Sequence, residues 1–337
     1  MQPLVSILIP AYNAENWIGE TLRSALAQTW PRTEIIVVDD GSKDNTLAAA
    51  RKFESERLRV VTKQNGGAAA ARNHAFSLCQ GDYIQWLDAD DLLAPDKIER
   101  QMAAILKAGD PRLLFCCGWG RFIYRPSQAQ FEPTSLWQDR APADWMVRKM
   151  EENLYMQTAT WLPSRELTVA AGPWDTRLLG DDDGEYFCRV LLASKGERFV
   201  PEARTYYRLA GAESLSYVGN SSRKLEAQYL SCELNIDHLL KVEDSPQVRA
   251  ACLKYLQRYQ VYFYPERMDL FEKSQAVAAR LGGRMEIPRL SWKYAWIQKL
   301  FGWNAAKRAQ VTYNRWKSAA RIGLDKFRSR RESDSHA

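Results

Sequence analysis

Four short runs of the chain are apolar at nearly every position and rich in β-branched residues: VSILIP from Val5, EIIVVDD from Glu34, LRVVT from Leu58 and YIQWLD from Tyr83. Segments of helical character lie between them, at about residues 15–28, 45–56 and 68–79. Strands apolar enough to be covered on both faces, alternating with helices, predict a parallel sheet in an α/β layer architecture. The punctuation agrees: Asp44 or Asn45 can cap the second helix, Gly66 and Gly67 open the third, and Pro95 stands where a fourth helix to about Lys107 begins. Residues 110–180 lose this alternation and are rich in tryptophan (Trp119, Trp137, Trp145, Trp161, Trp174), which predicts a second, irregular subdomain. From about Ser222 to Gly282 the pattern is helical, and no internal repeat is present.

Composition narrows the class. The chain has 337 residues, 46% of them hydrophobic, enough for one large domain with an extension or for two smaller ones. The six cysteines show neither C-x-x-C pairing nor the density of a small secreted scaffold, so reduced thiols and a cytoplasmic protein are expected. The N-terminus lacks the basic flank and apolar length of a signal peptide, and no run reaches the roughly 18 apolar residues of a membrane span. The formal charge of +6 is uneven: residues 289–337 hold 12 Lys or Arg against 3 Asp or Glu.

Acidic residues stand at the ends of the predicted strands, where open α/β sheets bind their ligands. Asp39 and Asp40 can accept hydrogen bonds from a base imide or from ribose hydroxyls, or can simply shape the turn in DDGSKDN. Asp88, Asp90 and Asp91 crowd three like charges beside an apolar strand, an arrangement that calls for a cation. Mg²⁺ or Mn²⁺ held by one or two carboxylates and a diphosphate fits that pattern. In GDDDGEYFCRV, residues Asp181, Asp182, Asp183 and Glu185 form either an acidic helix N-terminus or a site holding a base for proton abstraction.

Taken in order, VSILIPAYNAENWIGETLRSALAQTW, EIIVVDDGSKDNT, NGGAAAARNHAFSLCQGDYIQWLDADD and GDDDGEYFCRVLLASKG resemble the family 2 glycosyltransferases, inverting nucleotide-sugar-dependent enzymes of GT-A fold, over about residues 4–216. The resemblance implies a GT-A domain at 1–220, with a nucleotide-binding half at 1–108 and an acceptor-binding half at 109–220. A helical extension at 221–288 and a basic amphipathic tail at 289–337 follow. It further implies that Pro10, Ala11 and Tyr12 form the nucleotide-contacting turn, that Asp40 with Asp39 holds base and ribose, and that Arg72 lies near the nucleotide. Asp90, assisted by Asp88, would be the ligand to Mg²⁺ or Mn²⁺, and Asp183 the catalytic base with Asp182 as its neighbour. A UDP-sugar is the favoured donor, with a saccharide or lipid-linked acceptor. Many relatives carry a metal-binding histidine after YYR; here Leu209 and Ala210 stand there, and the only histidines are His74, His238 and His336. The loop from Arg208 to Ser216 is expected to close over the donor.

Two rival functions remain in view. A dinucleotide-dependent dehydrogenase needs G-x-G-x-x-G after the first strand, where this chain has PAYNAE. A non-catalytic sugar-nucleotide-binding or scaffolding protein would keep the fold without the chemistry. In the tail, Trp292, Trp296, Leu300 and Trp303, then Tyr313, Trp316, Ala320, Leu324 and Phe327, fall at helical spacing among the basic residues. Such helices either pack their aromatic face on the domain or lie on an anionic membrane, giving peripheral contact with its inner face. Nucleic acid is not expected, because no recognition motif accompanies the charge.

Overall fold

The computed structural model describes residues 2–209 and 221–334. Strands β1 (Val5–Ala11), β2 (Thr33–Asp39), β3 (Leu58–Thr62) and β4 (Tyr83–Trp86) alternate with helices α1 (Ile18–Leu26), α2 (Thr46–Arg51) and α3 (Ala68–Leu78). They form a wholly parallel sheet in the order β3-β2-β1-β4, with Ala11 opposite Asp39 and Leu8 opposite Trp86. Every residue of β1 is buried, because helices cover both faces. Ile7 and Ile9 pack in one apolar cluster with Leu22 and Met102, and Leu8 in another with Ala75 and Trp86. The first two helices are shorter than their polar boundaries suggested, the second by half, whereas the third ends one residue early. At α2 the side chain that satisfies the first turn is Asp44, which accepts from the Thr46 amide at 3.0 Å; Asn45, at the cap position, makes no such bond.

Next along the chain come β5 (Leu92–Leu93), α4 (Lys97–Ala108), β6 (Leu113–Phe122), β7 (Gln130–Phe131), α5 (Pro142–Glu152), α6 (Arg165–Ala171), α7 (Asp182–Ala193) and β8 (Gly196–Arg208). They build a second sheet, ordered β5-β8-β6-β7, in which β6 and β8 run parallel while the two short edge strands are antiparallel. The tryptophan-rich region is thus more regular than expected: β6 was hidden in LLFCCGWGRF, whose glycines give a weak strand signal. Trp145, Trp161 and Trp174 are core residues, Trp161 stacking on Phe187 at 5.3 Å and Trp174 on Tyr186 at 3.9 Å.

Helices α8 (Ser222–Val242) and α9 (Pro246–Phe263) pack onto α7 and α5, and α10 (Met268–Arg280) packs onto α8 and α9. Cys232, Ile236, Val248 and Tyr255 join the same apolar cluster as Leu8 and Trp86. The tail is α11 (Ala295–Asp334), broken at Gly302, where φ is +82°. The six cysteines are buried and unpaired. Among the described residues no helix is long and apolar enough to cross a membrane.

Candidate active site

The expected nucleotide- and metal-binding residues gather at the carboxyl ends of the first sheet's strands. Pro10 and Ala11 close β1, and Tyr12 follows with its ring 44% exposed. At the end of β2 the two aspartates part company. The Asp40 carboxylate accepts from Lys63 Nζ at 2.6 Å and from the Gly66 and Gly67 amides at 3.0 and 2.7 Å, so it fixes the loop that starts α3. Asp39 Oδ2 accepts from the Ser42 amide and Thr62 Oγ1, whereas its buried Oδ1 has no partner among the described residues. A buried acceptor without a donor is costly unless a ligand supplies one.

Arg72, on α3, is the hinge of the site. Its guanidinium lies on the Trp174 ring at 4.3 Å and donates to Asp88 Oδ1 at 2.7 Å and to Asp182 Oδ2 at 2.6 Å. One buried cation therefore joins the aspartates after β4 to those that open α7. The like-charge problem posed by Asp88, Asp90 and Asp91 is thus partly solved by the protein's own arginines. The second is Arg208, the last residue of β8, whose guanidinium lies 4.4 Å from both the Trp17 and Phe122 rings. It donates to the Asp90 carbonyl at 2.8 Å, the Ile123 carbonyl at 3.0 Å and Glu20 Oε2 at 2.6 Å.

The three aspartates differ in their surroundings. Asp91 is fully buried and accepts from the Arg208 amide at 2.8 Å and from Gln157 Nε2, so it anchors the loop. Burial, then Asp90 and Asp88, raise it well above the usual carboxylate range. The Asp90 carboxylate accepts from no other side chain among the described residues; burial and Asp88 push it up to about 6, with Arg208 opposing. Asp88 keeps one oxygen beyond the Arg72 bond. No cluster of three metal-ligating side chains exists among the described residues. Two half-buried carboxylates, one of them without a donor, match the habit of Mg²⁺ and Mn²⁺, which complete their shells with phosphate and water. Leu209 donates its amide to Phe122, and the remainder of the loop expected to close over the donor, Ala210 to Ser216, lies outside the described residues, as does His336.

The acidic run at α7 is sorted by backbone geometry. Asp181 has φ +54°, and its carboxylate turns back to α8, accepting from Ser231 Oγ at 2.6 Å and Gln228 Nε2 at 3.2 Å. Gly184 is needed here because a Cβ would collide with Asp181 Oδ1. Asp182 points to Arg72, and Asp183 is left beside Thr158 Oγ1 at 3.4 Å. Burial, then Asp182 and Asp181, push the Asp183 carboxyl up to about 7. Burial also raises Asp182, against the pull of Arg72. A carboxylate that holds its proton until near neutral pH is suited to general-base work.

Residues 6–137 match the profile described as Glycosyl transferase family 2. These residues belong to a family 2 glycosyltransferase domain. An uncharacterized glycosyltransferase of Rickettsia typhi is 43% identical over 35% of this chain and 36% of its own. The chondroitin synthase of Pasteurella multocida is 47% identical over 31% of this chain and 11% of its own. A putative teichuronic acid biosynthesis glycosyltransferase, TuaG of Bacillus subtilis, is 42% identical over 32% and 43%. The chain thus spans well under half the length of these relatives. Among solved structures, S. aureus TarS 1-349 in complex with UDP superposes with a TM-score of 0.64 at 18% identity, covering 82% of each chain. The mannosyltransferase PcManGT of Pyrobaculum calidifontis, in complex with GDP-Man and Mn²⁺, gives 0.52 at 18% identity, covering 84% and 85%. The fold is GT-A.

The structure ties Asp88 to Asp182, the neighbour of Asp183, through Arg72, across 110 residues of sequence. It also adds residues that motif reasoning passed over. Gln157 and Thr158 come from a segment without periodicity, and Ser231 and Gln228 sit in an unremarkable helix, so no local signal marked them. Arg208 closes the YYR run, and its position at a strand end was the one available clue.

Proposed function

We propose that the protein is an inverting glycosyltransferase that moves a sugar from a nucleotide diphosphate donor, a UDP-sugar in the first instance, to a hydroxyl of a saccharide or lipid-linked acceptor in polysaccharide or glycoconjugate synthesis. The observation that carries the reading is the Arg72 bridge, which joins Asp88 of the D-A-D run to Asp182, the neighbour of Asp183. The ligands named for the TarS and PcManGT structures, UDP and GDP-Man with Mn²⁺, support a nucleotide-sugar donor and a divalent ion. The names of the chondroitin synthase and TuaG relatives support polysaccharide synthesis.

In this reading Pro10, Ala11 and Tyr12 flank the base, and Asp39 Oδ1 accepts from the base imide or a ribose hydroxyl, while Asp40 holds the loop behind it. Asp90 and Asp88 would hold Mg²⁺ or Mn²⁺, which when bound supplies charge compensation for the departing diphosphate. Asp183 removes the proton from the acceptor hydroxyl; that oxygen attacks the anomeric carbon from the face opposite the nucleotide, so the configuration inverts. Asp182 raises the basicity of Asp183, and Arg72 favours its ionised form.

The tail belongs to the same proposal as a peripheral membrane contact. Trp292, Trp296, Leu300 and Trp316 are 60–81% exposed, and Lys299, Arg308 and Lys317 stand among them. Only part of the tail packs: Trp303 sits edge-on to Tyr264 at 5.0 Å, and Asp325 accepts from Arg125 at 2.7 Å. An exposed aromatic and basic helix suits an anionic bilayer surface.

The test is turnover of a panel of nucleotide sugars with Mn²⁺, by wild type and by Asp90→Ala and Asp183→Asn. Activity that collapses in both variants supports the assignments; a wild type inactive on every donor, or variants with unchanged turnover, would overturn them. Flotation of the full chain on vesicles with and without anionic lipid tests the tail, and equal recovery on both refutes electrostatic contact.

A further inference from the structure

Beside Asp183 lies a built aromatic and cationic platform that the reaction above does not use. Trp119 and Arg121 are two apart on β6 and so share a face of the second sheet. Trp119 is almost fully buried, with Tyr207 edge-on at 5.9 Å on one side and the Tyr155 ring tilted over it at 5.0 Å on the other. Tyr155 itself is 45% exposed, one of the few large rings open to solvent in the catalytic domain. The Arg121 guanidinium lies 5.1 Å from the Trp119 ring and 6.0 Å from that of Tyr155, and donates to the Tyr155 hydroxyl at 3.4 Å. Its one carboxylate partner among the described residues, Glu132 at 3.2 Å, is 67% exposed, so water screens the pair and a ligand anion can compete for the cation. Gln130, the cross-strand partner of Arg121, accepts from Arg321 of the tail, which brings a second guanidinium to the same edge.

The platform is close to the chemistry. Tyr155 precedes Thr158 by three residues, a reach of at most roughly 10 Å, and the Thr158 hydroxyl stands 3.4 Å from Asp183 Oδ2. The Tyr155 phenol is raised first by burial, with Arg121 opposing and the Asp183 carboxylate adding to it, as expected for groups on one crevice wall.

We infer that Tyr155 and Arg121 form an acceptor subsite for a sugar bearing an anionic group, a carboxylate or a phosphate, with the pyranose lying on the Tyr155 ring and the anion on the Arg121 guanidinium. The aromatic face supplies apolar contact and the guanidinium a planar fork matched to either oxyanion. A neutral acceptor would keep the first interaction and forgo the second. The inference rests on the glycosyltransferase reading for the word acceptor, but the binding preference does not require turnover.

The experiment uses the full chain with saturating UDP and Mn²⁺ to block the donor side. Ligand-observed NMR titration compares p-nitrophenyl β-D-glucuronide, the 6-phosphate of p-nitrophenyl β-D-glucoside, and the uncharged glucoside. At least a fivefold tighter Kd is expected for one or both anionic probes, and which of them benefits assigns the anion. Arg121→Gln should abolish the preference, Arg121→Lys should keep part of it, and Tyr155→Ala should weaken all three probes together; thermal melts confirm that each variant folds. No preference in the wild type, or a preference that survives Arg121→Gln, overturns the subsite. Failure of the glycosyltransferase reading has a separate signature: no UDP binding in the same titration and no donor turnover.

Discussion

Replacing Arg72 by methionine removes the guanidinium that joins the two acidic clusters while keeping an apolar stem against Trp174. Its side chain is 6% exposed, and its partners Asp182 and Asp88 are 15% and 29% exposed. Taking one member from a buried ion pair costs about 3–5 kcal/mol, because the other charge is left without compensation. The partial hydration of Asp88 places the loss near the low end, about 3 kcal/mol. Urea denaturation at pH 7.5 should show a lower midpoint with an unchanged m-value. A second readout separates electrostatics from packing. Arg72 favours the ionised form of Asp183, which burial and its neighbours hold at about 7. Without Arg72 the base keeps its proton to higher pH, so the acid limb of kcat/KM against pH must move upward. A stability loss below about 1 kcal/mol, or an acid limb that stays in place or moves down, would refute the bridge as the organising element of the site.

Asp183→Asn should lower kcat by roughly 10²–10⁴ and also stabilise the fold at pH 8. The folded carboxyl titrates at about 7 against 3.8 unfolded, so its favourable contribution is complete below about pH 4 and is lost as pH rises through 7. The asparagine chain should gain roughly 1–4 kcal/mol at pH 8 and nothing at pH 4; equal gains at both, read by urea melts, contradict the titration. Ser231→Ala deletes the 2.6 Å bond to Asp181 and should cost about 1.5–3 kcal/mol. It should reduce kcat with the Kd for UDP unchanged, and a variant with wild-type kcat would show that the helical extension does not position the base. Chelation with EDTA should abolish donor turnover and Mn²⁺ restore it, with Asp90→Ala shifting the Mn²⁺ dependence to higher concentration in the same assay. Gly184→Ala, which forces a methyl group against Asp181, should lower both the melting temperature and kcat.

The first sheet was legible because its signals are local: apolar β-branched runs buried on both faces, separated by helices with glycine and proline at their ends, can be read in windows of a dozen residues. The carboxylates at the strand ends were legible for the same reason, since the sheet order places those ends together. Strand β6 was not, because Gly118 and Gly120 weaken the local strand signal and the strand is held by pairing with β8 across some 80 residues. Nor could sequence divide the roles of adjacent aspartates. Asp39 and Asp40 are identical side chains, and only the loop at Lys63–Gly67 decides that one is satisfied and the other left open. Asp181, Asp182 and Asp183 are sorted by a positive φ at the first, whose carboxylate is captured by Ser231 from a helix 50 residues away. The sequence by itself determined which residue types stand at the mouth of the crevice; the tertiary structure decided which charges are compensated from within and which are left to meet a ligand, because ion pairing and burial depend on distances between segments that no local pattern encodes.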